Sequence, residues 1–235
     1  MANDTWLTTL FEIPDRTQAV KITIEPLAPL SMVESVPGSY YHSLKAPSNF
    51  MLMGMLENML GWRFSPEHRK AIFKKMEKTL KKRKKDLQKE PAPSGFQPLL
   101  QNHLSIDELC YYPQTLRHDD YWTMHLKGGD TRHLNGARNY DYQLETEMNA
   151  LGDAQKERDD FFKAHQGHFA NYYPSPTKRE YVAFPGKHPL ERVYQFKAWT
   201  TPKLADLLVD KAEAKDTPLY LGHSEGWVEV EIEKL

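Results

Sequence analysis

Residues 19–25 (Ala-Val-Lys-Ile-Thr-Ile-Glu) and 227–232 (Trp-Val-Glu-Val-Glu-Ile) alternate apolar and polar positions, the signature of strands buried on one face. Residues 180–184 and 193–199 are two further strand candidates, and residues 218–221 a short one. A helix opens at Pro47-Ser48-Asn49, where Ser48 or Asn49 can cap the first turn, and closes at Gly61. It is apolar on most sides, which predicts near-complete burial against a sheet and makes its four Met residues core filling rather than a soft binding groove. Gly54 costs that helix about 1 kcal/mol relative to Ala, so another backbone is expected to approach closely there. Residues 67–89 form a second helix with Ile72, Phe73, Met76, Leu80 and Leu87 as a narrow apolar stripe. Thr201-Pro202 opens a third helix through Leu204, Leu207, Leu208 and Ala212.

The middle of the chain is less regular. Between residues 98 and 160, short apolar-aromatic runs (109–112 and 121–126) alternate with polar loops. Lys127-Gly128-Gly129-Asp130 is a hairpin-turn candidate, and residues 145–165 are acidic and helical in pattern. The order of elements predicts an α+β fold: a ferredoxin-like core with an antiparallel sheet, interrupted by a long insertion. One domain over 1–235 is expected, with strand and buried helix at 19–62, the basic helix at 66–90, an insertion at 98–170 and the second half of the core at 178–235.

Charge changes the picture more than composition does. The 235 residues carry a net charge of −1, which argues against a uniformly basic nucleic-acid binder. Residues 66–89 nevertheless hold eleven basic residues against three acidic ones, a local +8 that the total conceals. A solvated helix face and a polyanion-binding face are both open readings. Cys110 is the only cysteine, so an intrachain disulfide and a cysteine-clustered metal site are excluded and a reducing, cytoplasmic location is expected. Mean hydropathy is −0.69 and no apolar run approaches the ~20 residues of a bilayer span, so no membrane association is expected. The many aromatic and Met residues suggest surfaces that a partner covers.

No phosphate-binding loop, dinucleotide fingerprint, zincin motif or nucleophile elbow is present, and no cofactor is implied. His118-Asp119 is a weak echo of a metal phosphohydrolase pair, and His165 with His168 reads as an exposed pair rather than a ligand set. Metal-independent RNA cleavage needs a base, an acid and a cation. Tyr41, His42 and Lys45 supply those groups in one loop, as do His118, Tyr121, His125 and Lys127. The same residue types build a passive RNA surface, by stacking and phosphate contact, and binding is the favoured reading. Gly222-His223-Ser224-Glu225-Gly226 is either an anion-binding glycine loop or a tight hairpin.

Two segments carry a family resemblance. Residues 41–62, with Pro47-Ser48-Asn49 leading into Gly54-Met55-Leu56-Glu57-Asn58-Met59-Leu60-Gly61, resemble the first helix of the CRISPR-associated protein family five. Pro218-Leu219-Tyr220-Leu221-Gly222-His223-Ser224-Glu225 is similar to that family's late glycine loop, and Lys178-Arg179-Glu180-Tyr181-Val182 resembles the strand opening its second half. The resemblance implies an RRM-like core of the RAMP superfamily with a thumb-like insertion. It also implies a place in a type I Cascade surveillance complex, holding the crRNA 5′ handle beside the backbone subunit and the large subunit in antiviral defence. Target DNA is a further candidate partner, and the first helix with its preceding loop looks more like type I-B members than type I-C members. Most such proteins cut nothing; in type I-C the family member processes the crRNA precursor, which keeps a metal-independent endoribonuclease as the alternative, beside an unrelated protein-interaction domain. Carried onto this chain, Lys45, Ser48 and Asn49 would lie near the handle. Gly222, His223 and Ser224 would form the glycine loop, and a thumb within residues 116–141 would offer Arg117, His118, Tyr121, His125, Lys127, Arg132, His133 and Arg138. Tyr41 and His42 complete the RNA-binding set, and Lys74, Lys78, Lys81, Lys82 and Lys85 of the basic helix are candidates for further nucleic-acid contact.

Overall fold

The computed structural model describes residues 5–34, 40–81, 95–128, 137–138, 142–165 and 171–235. In chain order the elements are α1 (Thr5–Leu10), β1 (Gln18–Pro26), β2 (Tyr40–Tyr41), α2 (Asn49–Met59), α3 (Pro66–Lys81), β3 (Leu104–Tyr111), β4 (Leu116–Gly128), β5 (Ala137–Arg138), α4 (Tyr142–Ala150), α5 (Gln155–Ala164), β6 (Asn171–Ala183), β7 (Tyr194–Thr200), α6 (Pro202–Ala214), β8 (Leu219–Tyr220) and β9 (Trp227–Lys234). Short 3₁₀ turns occupy Leu99–Asn102 and Pro189–Glu191.

Period-two alternation builds the main sheet. β1 buries Val20, Ile22 and Ile24, β7 buries Tyr194, Phe196 and Ala198, and β9 buries Val228, Val230 and Ile232. Antiparallel register sets Ile22 beside both Phe196 and Ile232, so the apolar sets of all three strands share one face. The sheet order is β3-β7-β1-β9-β8. With α2 following β1 and α6 between β7 and β9, this is the β-α-β-β-α-β order of a ferredoxin-like fold, an α+β architecture on an antiparallel sheet. The opposite face of the sheet carries Lys21, Glu229, Glu231 and Glu233, with Lys21 paired to Glu233 at 2.9 Å.

The helix ends follow the chemistry of their caps. Ser48 Oγ accepts from the Met51 amide at 3.5 Å, Thr201 Oγ1 accepts from the Leu204 amide at 3.4 Å, and Gly61 closes α2 at φ +73°. Met53, Met55, Met59 and Met76 are core residues and not part of an exposed surface. Gly54 faces no other backbone: a Cβ there would meet the Phe96 ring at 3.5 Å, an ordinary contact.

Glu57 is the feature hydropathy does not forecast. It is buried in an apolar helix, where its carboxylate accepts from Arg69 at 2.6 Å and from the Leu99 and Leu100 amides. It thereby ties α2 to the start of α3 and satisfies the free amides of the first 3₁₀ turn. Burial pushes this carboxyl above its usual range, and Arg69 and the two amides act against that shift. The remainder of α3 is held by Phe73, Met76 and Leu80, three members of the expected stripe; Leu87 lies outside the described residues, as does the helix expected beyond Lys81.

The chain divides into two units, residues 1–120 with 179–235, and residues 121–178. The first contains the main sheet, α2, α3 and α6. The second contains the continuations of β4 and β6, with β5 antiparallel to β6 (Ala137 opposite Tyr172) and α4 packed on α5. Two expectations are corrected here. The acidic segment forms two helices, α4 and α5, because Gly152 turns the backbone at φ +60°. The strand expected at 180–184 begins at Asn171, although Pro174 and Pro176 lie within it and proline cannot donate to a ladder. Two further readings cannot be compared: Gly129 and Asp130 of the expected turn, and His168, lie outside the described residues.

His103 is fully buried before β3, with Nε2 3.4 Å from the Glu12 carbonyl and Nδ1 without a hydrogen-bond partner among the described residues. Burial is the main cause that lowers its pKa to about 4. The unfolded chain therefore takes up this proton first, so His103 costs nothing above about pH 6.5 and destabilises the fold progressively toward pH 4. His103→Leu is expected to remove about 3 kcal/mol of the acid-induced loss between pH 7 and pH 4. Denaturant titrations of both proteins at the two pH values measure it; equal losses would refute the assignment.

Candidate nucleic-acid interface

In the first unit, β2, the end of β6 and the start of β4 lie side by side in a second sheet, of order β2-β6-β4. Strand alternation sorts their side chains onto two faces.

One face is organised by a carboxylate. Glu180, 6% exposed, accepts from the Ser43 amide at 2.9 Å and from Arg117 at 3.0 Å, with His42 Nδ1 3.9 Å away. Arg117 also donates to the Ser43 carbonyl at 3.5 Å. Tyr40 belongs to this face: its ring lies 3.8 Å from that of His42, and its hydroxyl donates to Asp119 at 3.0 Å.

The other face is a row of rings and one guanidinium. Tyr181 stacks on His118 (centroids 5.4 Å, planes 12° apart) and meets His223 edge-on at 5.4 Å. Arg179, two residues before Tyr181, lies over the Tyr41 ring at 5.0 Å. Tyr181 is buried, whereas His118 is exposed and Tyr41, Arg179 and His223 are half-buried. His223 Nδ1 accepts from the Ser31 amide at 3.3 Å, which leaves the proton of the neutral ring on Nε2. Burial first, and the Arg179 charge second, lower its pKa and hold it in that neutral form.

The glycine loop that carries His223 is a hairpin. The Leu221 amide bonds the Gly226 carbonyl at 2.9 Å, and the Gly226 amide bonds the His223 carbonyl at 3.0 Å. Gly222 has φ +74°, and a Cβ there would come within 2.3 Å of the Ser31 carbonyl oxygen. The residue is therefore glycine both for its conformation and because the 31–32 backbone packs against it.

A scan of family models matches residues 5–232 to "CRISPR-associated protein Cas5p". The chain belongs to the Cas5p family. A search of curated proteins finds no match. Solved structures similar to the chain include "CRISPR RNA-guided surveillance complex" (16% identity, TM-score 0.38, covering 87% of this chain and 58% of that one). Another is the type III-B Cmr-beta complex "bound to cognate target RNA and AMPPnP" (12% identity, TM-score 0.37, covering 91% and 62%). The chain thus spans about three fifths of the length of these structural relatives.

In this Cas5p chain the expected residues do not gather into one site. Tyr41 and His42 fall on opposite faces of their segment. Lys45 is exposed in a turn, where its carbonyl accepts from the Tyr194 hydroxyl at 2.6 Å. Burial raises that hydroxyl's pKa. Ser48 is occupied as a helix cap, and Asn49 lines an open hollow with Asp107 and Lys197. His118 and Asp119 point to opposite faces, so they form no ligand pair, and the described residues contain no group of three or more His, Cys, Asp or Glu arranged for a metal. His165 Nδ1 lies 3.0 Å from the Phe161 carbonyl at the end of α5. Tyr121 and Ser224 are exposed. His125, Lys127 and Arg138 lie on β4 and β5, where only the backbone is described; Arg132, His133, Lys82 and Lys85 fall outside the described residues. The residues sequence reasoning missed are Tyr40, Arg179, Glu180 and Tyr181. Their signal was the alternation Arg-Glu-Tyr in a short strand, which assigns Arg179 and Tyr181 to one face and Glu180 to the other.

Replacing Glu180 by Ala leaves the buried Ser43 amide without its acceptor and Arg117 without its ion-pair partner. The expected loss of stability is about 2–3 kcal/mol, with Glu180→Gln losing clearly less because its oxygen still accepts. Thermal unfolding of both variants checks this, and a loss under 0.5 kcal/mol for Glu180→Ala would refute the role.

Proposed function

We propose that this chain is a non-catalytic crRNA-binding subunit of a type I CRISPR surveillance complex. It holds the 5′ handle and docks beside the backbone subunit and the large subunit. The observation that carries this reading is the face built from Tyr41, His118, Arg179, Tyr181 and His223. Single-stranded RNA is recognised by rings and guanidinium planes against which splayed bases stack, together with cations for phosphate. Arg179 supplies both, His118 offers an exposed ring, and His223 presents an Nε2–H donor. Membership of the Cas5p family supports RNA as the ligand. Tyr121, His125, Lys127, Arg132, His133 and Arg138 remain thumb candidates, and Ser224 a neighbouring donor.

The same geometry favours binding over cleavage. A general base needs a free, unprotonated ring nitrogen. In His223 Nδ1 is engaged by Ser31 and Nε2 carries the proton, so the ring is a donor at neutral pH. Tyr41, His42 and Lys45 do not converge.

Labelled handle RNA titrated against wild type, Arg179→Ala and Tyr41→Ala measures the proposal. Each variant is expected to bind at least tenfold more weakly, and Arg179→Ala to reduce the salt slope by about 0.7, as one lost phosphate contact on a single strand requires. Unchanged affinity in both would overturn the reading. Repeat RNA incubated with the protein in EDTA is expected to stay intact; a cut lost in His118→Ala, His42→Ala or Lys45→Ala would move the assignment to an endoribonuclease.

A further inference from the structure

The exposed side of α3 has no part in the face described above. α3 is pinned along its inner side by Phe73, Met76 and Leu80, and at its start by the 2.6 Å Arg69–Glu57 pair. Its sixteen residues make a rigid rod about 24 Å long. Lys70, Lys74, Lys78 and Lys81 project from the opposite side, all exposed, at spacings of four, four and three residues. Successive members of that row stand about 6 Å apart on the helix surface.

Lys81 pairs with Glu77 at 3.0 Å. Lys70, Lys74 and Lys78 form no ion pair or hydrogen bond among the described residues. Like charges four apart destabilise a helix by about 0.2–0.5 kcal/mol each, so Lys70, Lys74 and Lys78 repel one another while Glu77 is engaged by Lys81. The chain's overall charge is −1, so this concentration is not a by-product of a basic protein.

We infer that this lysine row binds the phosphate backbone of a double-stranded nucleic acid, at a second site separate from the one proposed for the handle. Two features choose a duplex over a single strand. The lysine row contains no ring, because His68, the exposed ring of α3, stands two residues before Lys70 and so off the row, which leaves unstacked bases nothing to lie on along it. A straight row of point charges gains most from a straight, densely charged backbone, and a duplex carries a charge about every 1.7 Å of axis against about 3.4 Å for one of its strands. Lysine supplies charge without bidentate base readout, so binding is indifferent to sequence.

The test is fluorescence anisotropy of the full chain with a labelled 20-base-pair DNA duplex of arbitrary sequence, repeated with an RNA duplex and with a single strand, over a salt series. Wild type is expected to bind both duplexes in preference to an equally long single strand that lacks the handle sequence. Lys70→Gln/Lys74→Gln/Lys78→Gln is expected to weaken duplex binding at least tenfold at low salt and to reduce the slope of log K against log salt by about three. Its melting temperature should not fall below the wild-type value, since three repelling charges are removed, and the matching triple Arg variant should retain binding. The proposal is overturned by absent duplex binding, an unchanged slope in the Gln variant, or preference for the single strand. Handle-RNA affinity in the same Gln variant separates this proposal from the earlier one: it stays at the wild-type value if the two sites are distinct, and a parallel loss would mean one shared site, which also refutes the inference.

Discussion

The buried carboxylate of Glu180 is the constraint on which the candidate interface depends. A carboxylate removed from water must be matched by donors, and two neighbouring segments supply them: the Ser43 amide and, more distantly, His42 from the 40–43 segment, and the Arg117 guanidinium from β4. Satisfying this one charge fixes β6 against the 40–43 segment and the start of β4. Once Glu180 points inward, alternation obliges Arg179 and Tyr181 to point the other way, and they meet Tyr41, His118 and His223. The ionic face thus determines the geometry of the aromatic one. Glu57 works similarly for α3, so two buried carboxylates position the two surfaces that matter here.

Much of the core was legible along the chain. β1, α2, β7, α6, β8 and β9 follow from patterns that local physics enforces: period-two burial, Ser48 and Thr201 caps, Pro202 at a first helical position, Gly61 at a helix end. The long strand β6 was not legible beyond its last residues. Its prolines carry a loop signal, and what holds the strand is pairing with residues distant in sequence. The 145–165 segment likewise reads as one helical pattern, but Gly152 within it sits in a left-handed conformation that ends one helix before the next begins.

The site was legible in part. His118, Tyr41 and His223 were nominated by residue type and resemblance, and the fold brings them to one face. Arg179 and Tyr181, which link them, were quoted only as a strand. The failure has a physical source: chemistry was sought in clusters close in sequence, such as 41–45, whereas a sheet assembles a face from alternate residues of several strands. For the same reason Tyr41 and His42, adjacent in the chain, cannot serve one active site while the local backbone stays extended.

Charge segregation gives the molecule a polarity that net charge hides. In an RRM-like mode the open face of the main sheet would carry RNA on its aromatic residues. Here that face presents Glu229, Glu231 and Glu233, of which Glu233 pairs with Lys21, and its Trp199 is bonded to Asp107 and covered by Lys197. Cations without an acidic partner among the described residues stand on α3, at Lys70, Lys74 and Lys78, and Arg179 stands among rings, so the two settings differ in kind. Arg179 stands among rings, the environment that suits unpaired bases; the α3 lysines stand alone, the environment that suits a regular backbone. On the two readings proposed above, the ferredoxin-like core would then serve as the frame that holds two unlike surfaces, one of rings and one of lysines, rather than as the binding platform itself.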